Sequence, residues 1–357
     1  PGVGPTRFQA LLNRFGTARR AWEVVTRSDL NKVLGEKLTS KFEVFRREFS
    51  VEGYAKKLKE KEVSFVTLAD EEYPKLLKES KNPPFVLYIK GRLPEQAILG
   101  IESLISVVGT RKITNYGRDV TRMLVADLVA HGFTIVSGLA LGVDAVAHEI
   151  AIEAGGKTIA VLGNGVDVCY PQTNASLYEK IIDGYGAVVS EFPVGQTPTI
   201  GSFPSRNRII AGLSLGVLVT EGAEDSGALI TADYAFKNNR KVFAVPGPIT
   251  SSLSKGPHKL LAKGAKMVTS GQDIINELGI KNYESGRSIK STKSIKPIKG
   301  SKEEERILKI LEAGEAHIDE IVRRSGLSTS EVGSLLSIMG MKGMIQENGG
   351  GTFAIKS

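Results

Sequence analysis

The sequence predicts an α/β protein built around a doubly wound, mostly parallel sheet. Short apolar runs alternate with helical periods, these runs are rich in Val, Ile and Leu, and glycines follow most of them. Such alternation is typical of a parallel sheet that is covered by helices on both faces. We predict strands at 104–109, 134–138, 158–163, 187–192, 215–221, 241–247 and 266–269. We predict helices that start near Tyr116, Gly142, Asn174, Ser205, Ser226 and Pro257, which completes a Rossmann-like domain.

Smaller modules flank this domain, which we place at residues 85–280. Residues 1–84 predict a basic helical module, similar to SAM or helix-hairpin-helix modules, that opens with Gly-Val-Gly. Its beginning is expected to be missing, because the sequence starts at Pro1 rather than Met. Residues 281–300 are rich in Ser and Lys and predict a flexible basic linker. Residues 301–357 predict three helices and a hairpin, the pattern of a winged helix.

Composition is that of a globular protein of two or three domains. The chain has 357 residues, of which 41% are hydrophobic and 24% are charged. No apolar run approaches the roughly 18 residues of a membrane span, so no membrane partner is expected. Cys169 is the single cysteine, so an internal disulfide is excluded and a cytoplasmic location is predicted.

Charge is unevenly distributed along the chain. The net charge is +8, with +6 on residues 1–96, −1 on residues 97–280, +5 on residues 281–300 and −2 on residues 301–357. A basic protein favours a polyanionic partner. Because the central domain is nearly neutral, a binding site there has to be built from a few focused charges.

The segment GSFPSRNRIIAG (201–212) carries the most specific signal for such a site. We predict that Ser205 is a helix N-cap, which places Arg206, Asn207 and Arg208 in the first turn. Cations at a helix N-terminus are unfavourable because they oppose the helix dipole. A bound anion between the two arginines would remove this cost, so phosphate is the expected ligand. The alternative is that both arginines are solvated or paired with Glu191 or Glu221.

Other predicted strands end at the same edge of the sheet. Arg111 and Lys112 follow the first strand, and glycines follow several others, where backbone can approach a ligand closely. Phe203 lies among the arginines, as expected of a ring that stacks on a nucleobase, although a plain core role is also open.

Several enzyme classes are excluded by missing motifs. The sequence has no G-x-G-x-x-G after the first strand, no G-x-x-x-x-G-K-[ST] and no G-x-S-x-G, so NAD binding, P-loop nucleotide hydrolysis and a hydrolase nucleophile are not expected. The four histidines lack metal-ligand spacing, so a zinc site is not expected. His148 is interpreted as a helix-packing residue, and Asp144 as a carboxylate in a helix first turn.

Seven stretches resemble the DNA-processing protein A family (DprA, also called Smf). They are VVGTRK (107–112), VSGLALGVDA (136–145), AVLGNGVD (160–167) with Tyr170-Pro171, SEFP (190–193), FPSRNRIIAGLS (203–214), SGALITA (226–232) and VFAVPG (242–247). Their order and spacing cover the whole central domain.

The resemblance implies a protein that binds single-stranded DNA, protects the incoming strand in natural transformation and helps to load the RecA recombinase. It implies a homodimer that needs no metal and no cofactor and has no catalytic residue. Leu141 departs from the family pattern, which usually has Arg there. The DNA-binding residues expected on this basis are Arg111, Lys112, Ser137, Gly138, Phe203, Arg206, Asn207, Arg208, Ser226 and Gly227.

Two other functions stay open at this point. Phosphoribohydrolases of the lysine-decarboxylase-like type use similar sheets and a loop like SGALIT (226–231), with Glu221 or Glu224 as general acid or base. A transcription regulator would read duplex DNA through the winged helix, but its candidate recognition helix, 330–342, has Lys342 as its only cation.

The dimer face is predicted within residues 241–270. This region is expected to contain an edge strand and carries Leu260, Leu261 and Met267. A core role for these three residues is the alternative.

Overall fold

The computed structural model describes residues 2–99, 103–280, 302–312, 314–341, 344–347 and 351–355. The chain divides into two compact units, Pro1–Tyr283 and Glu284–Ser357. The predicted linker, 281–300, lies outside the described residues.

Five helices open the first unit, as the helical periods up to about residue 61 predict. Thr17, Thr26 and Ser50 each cap the helix that follows, and each side-chain oxygen accepts a backbone N–H of the first turn. The buried side chains of Leu11, Leu30 and others form a separate small core. The helices are α1 (Pro5–Phe15), α2 (Ala18–Glu23), α3 (Arg27–Leu34), α4 (Glu36–Glu48) and α5 (Val51–Glu60).

A nine-stranded sheet organises the rest of this unit. Its order is β1-β2-β6-β5-β4-β3-β7-β8-β9. The seven strands predicted from the sequence are all present and parallel, which confirms a mostly parallel α/β fold. The strands are β1 (Ser64–Thr67), β2 (Val86–Gly91), β3 (Leu104–Val108), β4 (Thr134–Ser137), β5 (Thr158–Val161), β6 (Gly186–Ser190), β7 (Gly216–Val219), β8 (Lys241–Ala244) and β9 (Lys266–Met267).

The sheet extends into the region that the sequence assigns to the N-terminal module. β2 pairs antiparallel with β1 and with β6, so residues 64–67 form an edge strand of the central sheet. The boundary between residues 84 and 85 stays a prediction.

Helices cover both faces of the sheet. On one face, Leu124 and Ile150 pack with the strand residue Ile135, and on the other face Ile209 packs with Val217. Each such side chain contributes about 1.5–3 kcal/mol when it is fully buried. The helices are α6 (Lys75–Lys78), α7 (Glu95–Leu99), α8 (Asn115–Ala130), α9 (Val143–Glu153), α10 (Ala175–Lys180), α11 (Ser202–Leu213), α12 (Gly227–Lys237), α13 (Lys255–Ala262) and α14 (Gly271–Leu278).

The connections create one topological switch point in the sheet. From β3 the chain passes outward through β4, β5 and β6, and α11 then carries it back to β7 on the other side of β3. Loops that leave β3 and β7 therefore diverge and open a crevice at the carboxyl edge of the sheet.

The predicted N-cap of α11 is wrong. The helix begins at Ser202 with Gly201 as its N-cap, and the Ser205 hydroxyl donates instead to Glu191 Oε1 at 3.2 Å. Pro204 fits within the first turn, where its missing N–H has no helical acceptor to lose. Arg206 therefore lies in the second turn.

The second unit has the elements of a winged helix. Ser328 and Glu331 form a capping box at the start of α17, with hydrogen bonds of 2.6 to 3.3 Å. The turn at residues 348–350 lies outside the described residues. The elements are α15 (Lys302–Leu311), β10 (Ala316–His317), α16 (Ile318–Ser325), α17 (Thr329–Met341), β11 (Ile345–Glu347) and β12 (Thr352–Ile355).

Candidate functional site

A cleft of about 640 Å³ opens at the switch point of the sheet. The loops after β3, β4 and β5, the start of α11 and the N-terminus of α12 all contribute to its walls. Six of the residues expected from the sequence line it, namely Arg111, Phe203, Arg206, Asn207, Ser226 and Gly227.

Arg206 forms the floor of the cleft. Only 5% of the residue is exposed, and its Nη1 donates to the carbonyl oxygens of Gly138 (2.7 Å) and Val161. Gly138 follows β4 and Val161 ends β5, so the guanidinium binds backbone carbonyls at the carboxyl ends of two strands. Burial lowers the pKa of Arg206 to about 10, which leaves it charged at neutral pH.

Gly138 makes room for this guanidinium. A Cβ at Gly138 would lie 2.6 Å from Arg206 Nη1 and 2.7 Å from its Cζ. The glycine therefore lets the arginine side chain reach the backbone, a role that its sequence context did not reveal.

Asp144 lies buried beside Arg206 but is not part of an ion pair. Its Oδ2 accepts the backbone N–H groups of Gly138 (3.2 Å) and Ala140 (3.4 Å). Burial raises the pKa of Asp144, and the charge of Arg206 opposes that rise. Among the ion pairs of the described residues, none contains Arg206, so its positive charge is only partly offset and still acts on the cleft.

Aromatic rings form one side of the cleft. The Arg111 guanidinium lies 5.5 Å from the centroid of Phe203, and the ring centroid of Tyr170 lies 5.7 Å from that of Phe203. Tyr170 is 47% exposed. Sequence reasoning missed Tyr170 as a site residue. Its position in the glycine-containing segment after β5, at the carboxyl edge of the sheet, could have indicated it.

The N-terminus of α12 also lines the cleft. Ser226 caps this helix, Gly227 is exposed at its first position, and its first turn contains no acidic residue. Asn207 Nδ2 donates to Gly227 O at 3.2 Å, which joins α11 to α12. Free N–H groups at a helix start attract anions.

The remaining predicted residues lie elsewhere. Arg208 forms an ion pair with Glu191, and both side chains are only 12% exposed. Ser137 is fully buried and its hydroxyl donates to Val107 O at 2.7 Å. Lys112 is exposed but does not line the cleft.

Gly138 borders a second, smaller hollow next to the cleft. Arg111, Phe203 and Arg206 line both hollows. Seven of the ten expected residues are therefore brought together in one region of the sheet edge.

The carboxylates considered for general acid or base chemistry lie outside the cleft. Glu221 is buried and accepts from Thr114 N (3.0 Å) and Thr114 Oγ1 (2.6 Å), which fixes the start of α8. Glu224 is exposed and pairs with Lys259 at 3.4 Å. Among the described residues that line the cleft, Asp144 is the only acidic one.

His148 packs inside the domain, as the sequence predicts. It is fully buried, and its Nδ1 lies 2.6 Å from Thr158 Oγ1. Within the described ranges, no group of three or more His, Cys, Asp or Glu side chains could hold a metal ion. A search of the same ranges finds no helix that could span a membrane.

The residues proposed for a dimer face differ in exposure. Leu260 belongs to the core at 2% exposure, and Leu261 packs against that core. Met267 on the edge strand β9 is 55% exposed.

Comparison with known families and proteins identifies this arrangement. Residues 64–279 match the family model "DNA recombination-mediator protein A", and residues 293–351 match "DprA winged helix domain". The Smf protein of Synechocystis is 41% identical over 280 residues, which cover 78% of this chain and 70% of that protein.

Two solved structures are also similar. DprA from Streptococcus pneumoniae aligns with a TM-score of 0.68 and 34% identity, over 77% of this chain and 94% of that one. DprA from Helicobacter pylori, whose structure was described for its single-stranded DNA binding mode, aligns with a TM-score of 0.53 and 32% identity, over 60% and 95%. The chain belongs to the DNA-processing protein A (DprA/Smf) family of recombination mediators.

Proposed function

We propose that this chain binds single-stranded DNA in the cleft and acts without catalysis as a mediator of recombination. The observation that carries the proposal is the buried, charged Arg206 at the floor of the cleft, without an ion-pair partner among the described residues. A positive charge held in a partly desolvated site attracts an anion more strongly than a surface lysine does. The repeating anion of a nucleic acid strand fits this site.

The strand lies across the carboxyl edge of the sheet. Its phosphates meet Arg111, Arg206 and the free N–H groups at the start of α12, and a further phosphate meets the exposed Lys112, which follows Arg111 in the chain. Bases lie towards the aromatic side, at Phe203. Base–aromatic stacking contributes about 1–3 kcal/mol per base and does not depend on sequence.

Four expected residues support the contacts rather than make them. Arg208 is neutralised by Glu191, Ser137 ties β4 to β3, and Gly138 seats Arg206. Asn207 aligns the two helix starts that face the strand.

The wider role follows the family. The chain protects an incoming strand during natural transformation in the cytoplasm and helps to load a RecA-type recombinase onto it. It acts as a homodimer through the region 241–270, where Met267 offers exposed apolar surface. Family membership and the single-stranded DNA binding mode described for the H. pylori structure support this assignment.

Fluorescence anisotropy with labelled oligo-dT and a matched duplex, at several salt concentrations, tests the proposal. We expect tight, salt-sensitive binding that favours the single strand. Nuclease protection and recombinase-loading assays then test the two later steps. Absence of binding to oligo-dT at low salt, or a preference for duplex, would contradict the proposal.

A further inference from the structure

Tyr170 is the most exposed aromatic ring of the cleft. It is 47% exposed, whereas Phe203 is only partly exposed and is approached by two neighbours, Arg111 and Tyr170. We propose that Tyr170 is a base-stacking residue of this chain and that Phe203 acts in part as the ring that supports it. This inference rests on the proposed binding of single-stranded DNA.

The distances restrict where a base can stack. The Tyr170 and Phe203 centroids are 5.7 Å apart at an interplanar angle of 37°, within the range of two aromatic rings in direct contact. No base fits between them, so a base has to stack on an outer face. Because Arg111 lies over Phe203, the accessible ring surface is mainly that of Tyr170.

The surroundings of Tyr170 suit a nucleotide. The smaller hollow, of about 70 Å³, shares Tyr170 with the main cleft, and Leu141 and Pro171 are among the residues that line it. Leu141 is 46% exposed. The apolar surface of Leu141 and Pro171 and the guanidinium of Arg206, which lines both hollows, match the base and the phosphate of a nucleotide.

Three polar contacts hold the segment that carries Tyr170 in place. Asn174 Nδ2 donates to Leu139 O at 2.9 Å, and Asn164 Nδ2 donates to Val168 O at 2.6 Å. The Asp167 carboxylate pairs with Lys61 of the helical module at 2.6 Å. A ring on a fixed loop loses little conformational freedom when a base stacks on it.

Binding to two oligonucleotides with the same number of phosphates isolates the stacking contribution. One is oligo-dT, and the other is the same backbone with abasic sites. We expect the wild-type protein to prefer oligo-dT. Tyr170→Ala should weaken oligo-dT binding roughly five- to 150-fold, the range expected for one stacked base. Binding of the abasic strand and the salt dependence should not change.

Matched variants separate stacking from folding. Tyr170→Phe keeps the ring and should bind like the wild type, whereas Tyr170→Leu keeps apolar volume and should behave like Tyr170→Ala. Tyr185→Ala removes another exposed tyrosine, 38% exposed and outside the cleft, and should have no effect. Thermal midpoints show whether each variant is folded. If Tyr170→Ala does not fold, the comparison of Tyr170→Phe with Tyr170→Leu still tests the stacking role.

The outcomes distinguish this inference from the function on which it rests. Failure of the wild type to bind oligo-dT removes the proposed function itself. Equal binding of oligo-dT and abasic strand, or an unchanged oligo-dT affinity in Tyr170→Ala and Tyr170→Leu, overturns the stacking role alone. An equal loss on both strands also overturns it, because it would show a structural role.

Discussion

Two arginines of similar appearance in the sequence have different roles in the structure. Arg111 is exposed over the Phe203 ring, and Arg206 is buried against two carbonyls. The sequence places both at a ligand-binding edge, so replacement of either by Ala would be expected to change stability little. The exposed position of Arg111 agrees with that expectation, whereas the burial of Arg206 contradicts it.

The first prediction compares these two variants. Arg206→Ala should lower the free energy of unfolding by about 2–3 kcal/mol, since hydrogen bonds from a charged group are lost in the interior. Arg111→Ala should lower it by less than about 1 kcal/mol, the size of an exposed cation–π contact. Urea unfolding measures both, and equal losses would contradict the assignment. DNA binding should weaken in each.

The second prediction concerns His148, which is neutral in the folded protein. Thr158 Oγ1 donates to Ile135 O at 2.8 Å, so the ring donates through Nδ1–H, and buried Nε2 has no partner among the described residues. Burial, followed by the charge of Arg206, lowers the pKa of His148 to about 3. The unfolded chain binds a proton below about pH 6.5, so stability is lost as pH falls through that value.

His148→Gln removes this titration. Between pH 7 and 5.5 the wild type should lose about 1 kcal/mol more stability than the variant. Asp144, whose pKa is raised, acts in the opposite direction above pH 3.8, but it is present in both proteins. Urea unfolding at the two pH values gives the difference, and parallel losses would rule out a neutral buried imidazole.

At the scale of elements, the sequence predicts far more of the sheet than of the site. All seven parallel strands follow from apolar runs, because burial on both faces leaves a continuous pattern. The start of α11 was misplaced because Pro204 occupies its first turn. The antiparallel edge strand β1 was missed, because its pairing with β2 leaves no periodic pattern in the local sequence.

The sequence predicts most of the residues at the site but not how deeply each side chain is buried or which partner it has. The burial of Arg206 depends on Gly138, which is 68 residues away in sequence and leaves space for the guanidinium. The neutralisation of Arg208 depends on Glu191, which follows β6 and is one of the two partners that the sequence left open. Local spacing cannot distinguish a buried, a paired and an exposed arginine, so only the carboxyl edge as a whole could be assigned.

The third prediction tests the start of α12. Gly227→Pro removes a backbone N–H at the first helical position, which Pro tolerates, and the preceding Ser226 has ψ 138°, which suits a residue before Pro. Single-strand affinity should fall about tenfold or more, as a charge-assisted hydrogen bond is lost. Gly227→Ala keeps the N–H, and its Cβ meets no atom within 4 Å. Equal affinities of the two variants would exclude this N–H as a phosphate ligand.

At the scale of the molecule, few charges have to supply the electrostatic attraction. Residues 97–280 have a net charge of −1, so the field at the cleft comes from Arg111, Lys112 and Arg206 rather than from a basic surface. Single strands release about 0.7 counterions per phosphate neutralised. Three cations therefore predict a log–log salt dependence with a slope of about −2.

The fourth prediction assigns this slope to residues. Lys112→Gln should reduce its magnitude by about 0.7, because one phosphate contact is lost. Arg208→Gln should leave it unchanged, since Glu191 already neutralises Arg208. Anisotropy titrations at four or more salt concentrations give each slope. A reduction in Arg208→Gln as large as that in Lys112→Gln would mean that the Glu191 pair opens when DNA binds.

The fifth prediction follows from the division into two compact units, each with its own core. A chain that ends at residue 280 contains the whole cleft and should bind oligo-dT within a few-fold of the full chain. It lacks the +5 charge of residues 281–300, so a chain that ends at residue 300 is the matched control for non-specific attraction. Residues 301–357 alone have a net charge of −2 and should bind both single strand and duplex weakly. If this fragment instead retained most of the affinity and preferred duplex, the winged helix rather than the sheet edge would be the principal DNA-binding site.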